Sequence, residues 1–566
     1  MKDTTTSHLV ADQIVDMLAE GGIRHIYAIT GDSLNALTDA IGRDGRIRFI
    51  HMRHEESGAF AASAEAQLTG SLACCAGSSG PGHVHLINGL YDAKRANAPV
   101  LAIASTCGSA VLGTGYFQET NPTLLFSDCS VYNQMSVTPE QLPHMMQAAM
   151  QEAISLSGVS VIGLPADVIS LPAQPSQASC APLTTGHLPE PTESEIHQCA
   201  DILNAARSVT IFAGAGCAGA TDALRALSDK LNAPVVTTFK SQMELMGHCP
   251  NYIGHLGYLG TWAAIDAVRD ADAIIMIGMN FPFPGFFPTD KKIIQIDIRA
   301  ERIGRIARVD AGIRADAKIF LETLLPAINQ KTDRKFLDNA LQQYSQICHK
   351  LAQPVSNPGT NDCIRPEYVF ATLDRLADDD CIFTVDTGMN CLWSAHYLTP
   401  ATGRSMIGSF THGSMANAMP QSIGAAIACP DRQVIALCGD GGLTMLLGDL
   451  LTIVQYQLPI KILVADNRSL AYVKWEMALA GFTPSEVDLH NPDFGEMARS
   501  MGFTAETVRN PRQLEDAMRR WLSAQGPALL SVVTDQDAAS FSFSKEMMES
   551  ATPDSVTENF IAPGTI

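Results

Sequence analysis

The stretch from Gln433 to Asn467, QVIALCGDGGLTMLLGDLLTIVQYQLPIKILVADN, constrains the fold more than any other part of the chain. An apolar run ends in Gly439-Asp440-Gly441-Gly442, a helical stretch follows, and a second apolar run ends in Asp466-Asn467. Two runs of strand length joined by a helix describe a βαβ unit, with parallel strands buried on both faces. The carboxyl ends of such strands lie along one edge of the sheet, and ligands bind there. Glycines at a strand end let the backbone close on phosphate oxygens. Asp440 and Asn467 add two hard oxygen ligands from neighbouring strand ends. With a diphosphate and a backbone carbonyl they make up the octahedral oxygen shell that Mg²⁺ prefers.

The same alternation runs through the rest of the 566 residues, which are too many for one core. In the first region, 1–185, residues 8–20 and 56–69 read as helices, with another near 138–155. Residues 23–29, 72–76, 100–105 and 160–164 read as strands. Residues 166–192 carry prolines and small polar residues and read as a linker. Thr192-Glu193-Ser194-Glu195 then fits a capping box opening the next helix. The second region, 186–345, has strand candidates at 209–213, 235–238, 273–277 and 293–298. A polar, proline-bearing gap lies near 351–361. The third region, 355–540, has strand candidates at 381–385, 433–437 and 460–465. A polar tail, 541–566, follows, with room for a short helix near 545–550. The expected fold class is α/β, with three doubly wound parallel-sheet domains.

Formal net charge is -21, which disfavours a nucleic-acid partner, because the phosphate backbone rewards basic surfaces. Among the 14 cysteines, Cys74, Cys75, Cys381 and Cys438 sit inside apolar runs, and no CxxC pair occurs. Buried free thiols and a cytoplasmic location are the expectation. The start has no basic stretch leading into an apolar core, so no signal peptide is expected. No run of about 18 apolar residues suggests a membrane span. The tail shows no basic amphipathic segment, and its composition argues against a strong membrane anchor, leaving at most a peripheral contact.

Gly439-Asp440-Gly441 followed at this distance by Asn467 resembles the thiamine-diphosphate signature shared by pyruvate oxidases, decarboxylases and acetohydroxyacid synthases. The resemblance implies Mg²⁺ held by Asp440, Asn467 and the backbone carbonyl of Ser469, with Gly439, Gly441 and Gly442 around the diphosphate. The family commonly has Asn-Asn where this chain has Asp466-Asn467. RHEE (53–56), opening an Ala-rich helix, is similar to the family's activating-glutamate motif and implies that role for Glu55, with Glu56 beside it. The resemblance also implies that the cofactor lies between two subunits of a homodimer or homotetramer.

Within the family the chain resembles the bacterial pyruvate oxidases, the quinone-dependent pyruvate dehydrogenases in particular. TGDSLNAL (30–37), RHEE, Gly80-Pro81-Gly82 with HLINGLYD (85–92), GYFQET (115–120) and HGSMANAMPQ (412–421) carry the likeness. It implies that Gly31, Asp32 and Ser33 belong to the pocket above the cofactor and that Phe117 and Gln118 face it from the partner subunit. Met415 is implied as the wedge that bends the cofactor. Tyr472, Val473 and Glu476 are implied on the substrate side, with Tyr472 at a position where the relatives carry Phe.

The middle region resembles the FAD-binding domain of the oxidases. Gly214 and Gly216 lie in FAGAGCAGA (212–220), a glycine turn after a strand. Asn280 and Phe281 lie in IGMNFPFPGFFPTD. Asp297 ends a strand, suited to a ribose hydroxyl, and Asp316 is a second nucleotide-side acid. Two departures stand out: Phe239-Lys240-Ser241-Gln242 replaces an Arg-Gly-Lys stretch, and the bulky Trp262, at a usually small position, is expected to crowd a flavin. The implied reaction is oxidative decarboxylation of pyruvate, a small 2-keto acid, to acetate and CO₂, with electrons passing to FAD and then to a quinone or another acceptor. The alternatives are a non-oxidative 2-keto acid decarboxylase or carboligase, and an oxygen- and phosphate-using oxidase forming acetyl phosphate.

Overall fold

The computed structural model describes residues 8–181, 188–360, 363–536 and 538. The expected tail at 541–566, with its short helix, lies outside them. Three α/β regions each form a six-stranded sheet, as the alternation of apolar runs and helices implies. Every ladder between the named strands is parallel.

The first sheet comprises β1 (His25–Ala28), β2 (Arg48–His51), β3 (Ala73–Gly77), β4 (Val100–Thr106), β5 (Tyr132–Met135) and β6 (Val159–Pro165), in the order β2-β1-β3-β4-β6-β5. Its central strands are buried along their whole length. The second sheet has β7 (Val209–Ala213), β8 (Val235–Thr237), β9 (Tyr252–His255), β10 (Ala273–Ile277), β11 (Lys292–Asp297) and β12 (Ala311–Arg314), in the order β12-β11-β10-β7-β8-β9. The third has β13 (Ile382–Val385), β14 (Ser405–Gly408), β15 (Val434–Gly439), β16 (Lys461–Asp466), β17 (Thr504–Val508) and β18 (Ala528–Val533), in the order β14-β13-β15-β16-β18-β17.

Counted within each region, the first and third sheets share one strand order. The middle sheet has the order of dinucleotide-binding folds. Each order changes direction between β1 and β3, β7 and β10, and β13 and β15, and the first and third sheets change again at one edge, where β5 lies outside β6 and β17 outside β18. The three interior switch points are where ligands are expected.

The anticipated capping box forms: Thr192 Oγ1 accepts from Glu195 N at 3.3 Å, and Glu195 Oε2 accepts from Thr192 N at 2.7 Å. The gap expected near 351–361 starts late. The Lys335–Val355 helix runs through its first residues, with Pro354 in the last turn. That turn is held because Leu351 and Val355 pack on the third region's core. Apolar patterning of one helix face outweighs a proline placed where few helical hydrogen bonds remain to lose.

The first and third regions share one core. It forms where the Glu55–Thr69 helix lies against the Ala418–Ala428 helix. Gly424 makes this approach possible, since a Cβ there would collide with the carbonyl of Ala61. Among the described residues, no helix is long and apolar enough to cross a membrane.

Candidate active site

The third sheet's switch point brings two strand ends together. β15 delivers Gly439 to Gly442, and Asp440 is 3% exposed. Burial pushes its carboxyl up to about 6. Its Oδ1 accepts from Gly441 N at 2.8 Å, and Oδ2 accepts from Arg468 N at 2.6 Å and Asn491 Nδ2 at 2.8 Å. Asn491 also donates to Asp466 Oδ1 at 2.9 Å, so one amide aligns both acids. Arg468 takes a left-handed φ of 57°, which turns the chain sharply between Asn467 and Ser469. Asn467 Oδ1 accepts from Ser469 N at 3.0 Å. The Ser469 hydroxyl is buried without a hydrogen-bond partner. Asp440, Asn467 and Ser469, whose backbone carbonyl is the expected third ligand, offer oxygen donors only, which suits Mg²⁺ rather than a softer metal.

β13 supplies Asp386, 1% exposed, whose carboxyl burial raises to about 7. It accepts from Thr387 N at 3.1 Å and Asn417 Nδ2 at 3.2 Å. Any side chain at 442 would strike its Oδ2, so Gly442 is required for the two strand ends to close. Met415 lies over the same turn, its Cε 3.4 Å from where a Cβ on Gly441 would sit.

This switch point opens into a cavity of ≈ 830 Å³ that continues to the middle sheet. Of the residues expected at the site, Met415, Gly439, Asp440, Gly441, Gly442, Asn467, Ser469, Tyr472, Val473 and Glu476 line one end. Gly216, Asn280, Phe281, Asp297 and Asp316 line the other. Burial raises the carboxyl of Glu476 and the phenol of Tyr472 above their usual ranges. At the middle switch point a Cβ on Gly216 would sit 2.7 Å from Gly278 Cα. Gly214 is not in the cavity wall; it packs against Met279 at the end of β10.

Asp297 is 4% exposed and accepts from Arg299 N at 2.9 Å. Desolvation raises its carboxyl, and Arg302 and Arg299 oppose that rise. Asp316 caps the Ala317–Leu324 helix, accepting from Lys318 N at 3.0 Å and Ile319 N at 3.1 Å. Trp262 does not crowd this space, contrary to expectation. It lies outside the cavity wall, with Lys350 Nζ 4.9 Å over its ring, because it opens a helix that packs on the long Lys335–Val355 helix.

The remaining expected residues gather at the first sheet's switch point, outside this cavity. Glu55 is 5% exposed, in the first turn of its helix, and its Oε2 lies 3.0 Å from His85 Nδ1. His54 stacks on His85 at 4.5 Å. Ser33 Oγ accepts from Ser79 N at 2.8 Å, and Ser79 Oγ donates to the Gln118 carbonyl at 2.9 Å. Gly31 abuts Ser78, and Gly82 sits between Ser78 and Glu55. Asp32 is exposed, its Oδ1 accepting from Ser33 N. Gln118 takes a left-handed φ of 59°, and Phe117 beside it is 76% exposed. The expected residues thus fall into two groups, one at the first sheet's switch point and one along the cavity.

Sequence reasoning missed Asp386, Asn491, His85 and the cavity-lining cations Arg95, Lys240 and Arg302 as site residues. Asp386-Thr387-Gly388 follows a recognised strand candidate, as Gly439 to Gly442 do, and Gly388 has a φ of +124°. That signal was available. Asn491 lies in an irregular stretch with no motif.

Comparison with known proteins agrees with this geometry. Residues 8–125 match the N-terminal TPP binding domain of thiamine pyrophosphate enzymes, 196–324 their central domain and 386–532 their C-terminal TPP binding domain. The chain is 33% identical over 529 residues to a thiamine pyrophosphate-containing protein of Bacillus subtilis, covering 93% of this chain and 92% of that one. It is 30% identical over 550 residues to the pyruvate oxidase of Lactiplantibacillus plantarum, 95% and 90% covered. It is 29% identical over 542 residues to the acetolactate synthase isozyme 2 large subunit of Escherichia coli, 93% and 95% covered. With three matching domains and a near-full-length relative at this identity, the chain belongs to the thiamine pyrophosphate enzymes.

Proposed function

We propose that this chain decarboxylates a small 2-keto acid with thiamine diphosphate and Mg²⁺, and that the middle crevice takes a dinucleotide, FAD. The observation that carries the reading is the single cavity joining the Asp440–Asn467 switch point to the Gly216–Asp297 switch point. Asp440, Asn467 and Ser469 would hold the metal. Gly439, Gly441 and Gly442 would take the diphosphate, and Met415 would support the ring system. Glu55, with Phe117 and Gln118, would complete the site from a second copy, as the family resemblance implies for residues that lie outside their own chain's cavity. A homodimer is therefore the smallest working unit, and a homotetramer would pair two of them. Thiamine diphosphate supplies, when bound, a nucleophilic carbon and an electron sink for loss of CO₂.

The chain's own groups have separate tasks. Glu55, buried against His85, holds a carboxylate where the cofactor's pyrimidine ring is to be fixed. Tyr472 and Val473 line the substrate end and displace water, which favours loss of a carboxylate charge. Burial keeps the Glu476 carboxyl protonated to higher pH than usual, so it can donate a hydrogen bond to a substrate oxygen.

Two onward reactions fit. Transfer to a second keto acid is favoured by the acetolactate synthases among the relatives, at nearly the identity of the pyruvate oxidase. Oxidation through FAD to a quinone or other acceptor is favoured by the continuity of the cavity. Purified chain given thiamine diphosphate, Mg²⁺, FAD and pyruvate without oxygen separates them. Bleaching of the flavin marks oxidation, and a 2-hydroxy-3-keto acid product marks transfer. Absence of CO₂ release across a panel of 2-keto acids would contradict both.

A further inference from the structure

The motifs HLINGLYD and HGSMANAMPQ come from different sheets, and the fold presses them together. The Ile87–Ala96 helix and the turn before it present His85, Asn88 and Asp92 at helical spacing, three and four residues apart. Each meets a different part of the site. His85 reaches Glu55. Asp92 accepts from Ser63 Oγ at 3.1 Å and from Gln421 Nε2, across the domain boundary, at 3.2 Å.

Asn88 sits between them and uses both ends of its amide. Its Nδ2 donates to Glu56 Oε1 at 2.7 Å and to Ser414 Oγ at 2.9 Å. Its Oδ1 lies 2.9 Å from His412 Nε2. Glu56 is in the first turn of the helix that begins at Glu55, and His412 and Ser414 belong to the loop that carries Met415.

That loop needs such support. Ala416 takes a left-handed φ of 67°, uncommon for a residue with a side chain. Ser414 Oγ also donates to the Met415 carbonyl at 2.9 Å. Asn417 Nδ2 donates to the Ser414 carbonyl at 2.8 Å and to Asp386, the group that abuts Gly442. A continuous run of contacts therefore leads from Glu56 through Asn88 and the loop to the turn expected to hold the diphosphate.

We propose that Asn88 is a positioning residue: it fixes the Met415 loop over the Gly439–Gly442 turn and ties it to the helix carrying Glu55. The inference rests on the thiamine diphosphate reading above. Asn88→Asp removes both amide donors and sets a carboxylate against Glu56. In the double variant Asn88→Asp with Glu56→Gln, the amide introduced at position 56 can donate to the new carboxylate, and His412 Nε2 can as well, while the Ser414 hydroxyl keeps its bond to the Met415 carbonyl, so the link to the helix is rebuilt with donor and acceptor exchanged.

The test is calorimetric titration of the full-length chain with thiamine diphosphate and Mg²⁺, alongside its melting temperature. Asn88→Asp is expected to weaken cofactor binding about 10-fold, the lower end for groups that orient a metal site from outside. The double variant is expected to recover most of that loss, and Ser414→Ala to lose about 3-fold. Unchanged affinity in Asn88→Asp and Ser414→Ala, even with lowered melting temperatures, would overturn the proposal. If Asn88→Asp does not fold, Ser414→Ala decides by the same reading. No binding by the unaltered chain would instead overturn the cofactor reading, and this inference with it.

Discussion

The first and third sheets are built to one plan and equipped for different work. Both run in the same strand order and open a switch point between their first and third strands. In both, the element after the second strand enters the shared core: the Glu55–Thr69 helix in one, the Ala418–Ala428 helix in the other. The difference lies in the side chains at the strand ends. The third sheet offers oxygen donors around a glycine turn, with Asp440 and Asp386 buried and held towards their neutral forms. The first offers Glu55, His85 and serines. Burial raises the cost of ionising these carboxylates, and under the proposed function a cation bound at the third sheet would offset it. Topology supplies two equivalent crevices, and under the proposed function a handful of side chains decides which binds and which activates.

The sharpest way to break this division is to remove one acid from each crevice. Asp440→Ala is expected to weaken Mg²⁺-dependent binding of thiamine diphosphate by more than about 100-fold, beyond the usual loss for outer partners of a metal ligand. Glu55→Gln is expected to leave binding nearly intact and lower turnover by about 10²–10⁴-fold, the range for a group that moves or holds a proton. Titration calorimetry and CO₂ release separate the two. Equal effects on binding would dissolve the distinction between the crevices.

A smaller change tests the third crevice's internal order. Asn491 aligns Asp440 and Asp466 with one amide, and Asn491→Leu removes both bonds at similar volume. Mg²⁺ affinity, measured by titration at saturating thiamine diphosphate, is expected to fall about 10–100-fold, with turnover at saturating metal little altered.

These two positions also mark how much the sequence reveals. Asp440 is legible because an apolar strand ending in glycines is a local pattern with a physical consequence, the close approach of backbone to phosphate. Glu55 is legible as the first acid of an Ala-rich helix. Asn491 reaches Asp440 from 51 residues away along an irregular segment, and only the folded chain brings them together. Strands divide the same way. The buried central strands read directly as apolar runs. The edge strands β2, β5 and β17 consist mostly of exposed and half-buried residues, with at most one buried residue each, so no apolar run announces them. β18, ALLSVV, is buried throughout and was open to the same reasoning that found its neighbours. The proposed half-site arrangement rests on family resemblance, because no local pattern says which chain's Glu55 meets a given Asp440.

The last effect concerns the contact between the two regions. Asp92 joins them at Gln421, and burial raises its carboxyl to about 6, with Ser409, Ser63, Lys240 and Gln421 acting against the rise. With a folded value above the unfolded one, its protonated form favours folding. That contribution is complete below about pH 4, the ordinary aspartate range, and is lost as pH rises through about 6. Asp92→Asn is therefore expected to flatten the decline in melting temperature between about pH 4.5 and 7.5, an effect of about 3 kcal/mol at most. An unchanged slope would show that the domain contact does not feel this proton.

The central claim is that each working site joins the first crevice of one copy to the third crevice of another. Mixing chains tests it directly. Glu55→Gln chains and Asp440→Ala chains, each inactive alone, are combined so that hybrid dimers form, and CO₂ release from the 2-keto acid is measured. Each hybrid should contain one site with both native acids and one with neither, and activity should return towards half that of an unaltered dimer. If the two crevices of a single chain served the same site, every hybrid would stay inactive, and the account would be wrong.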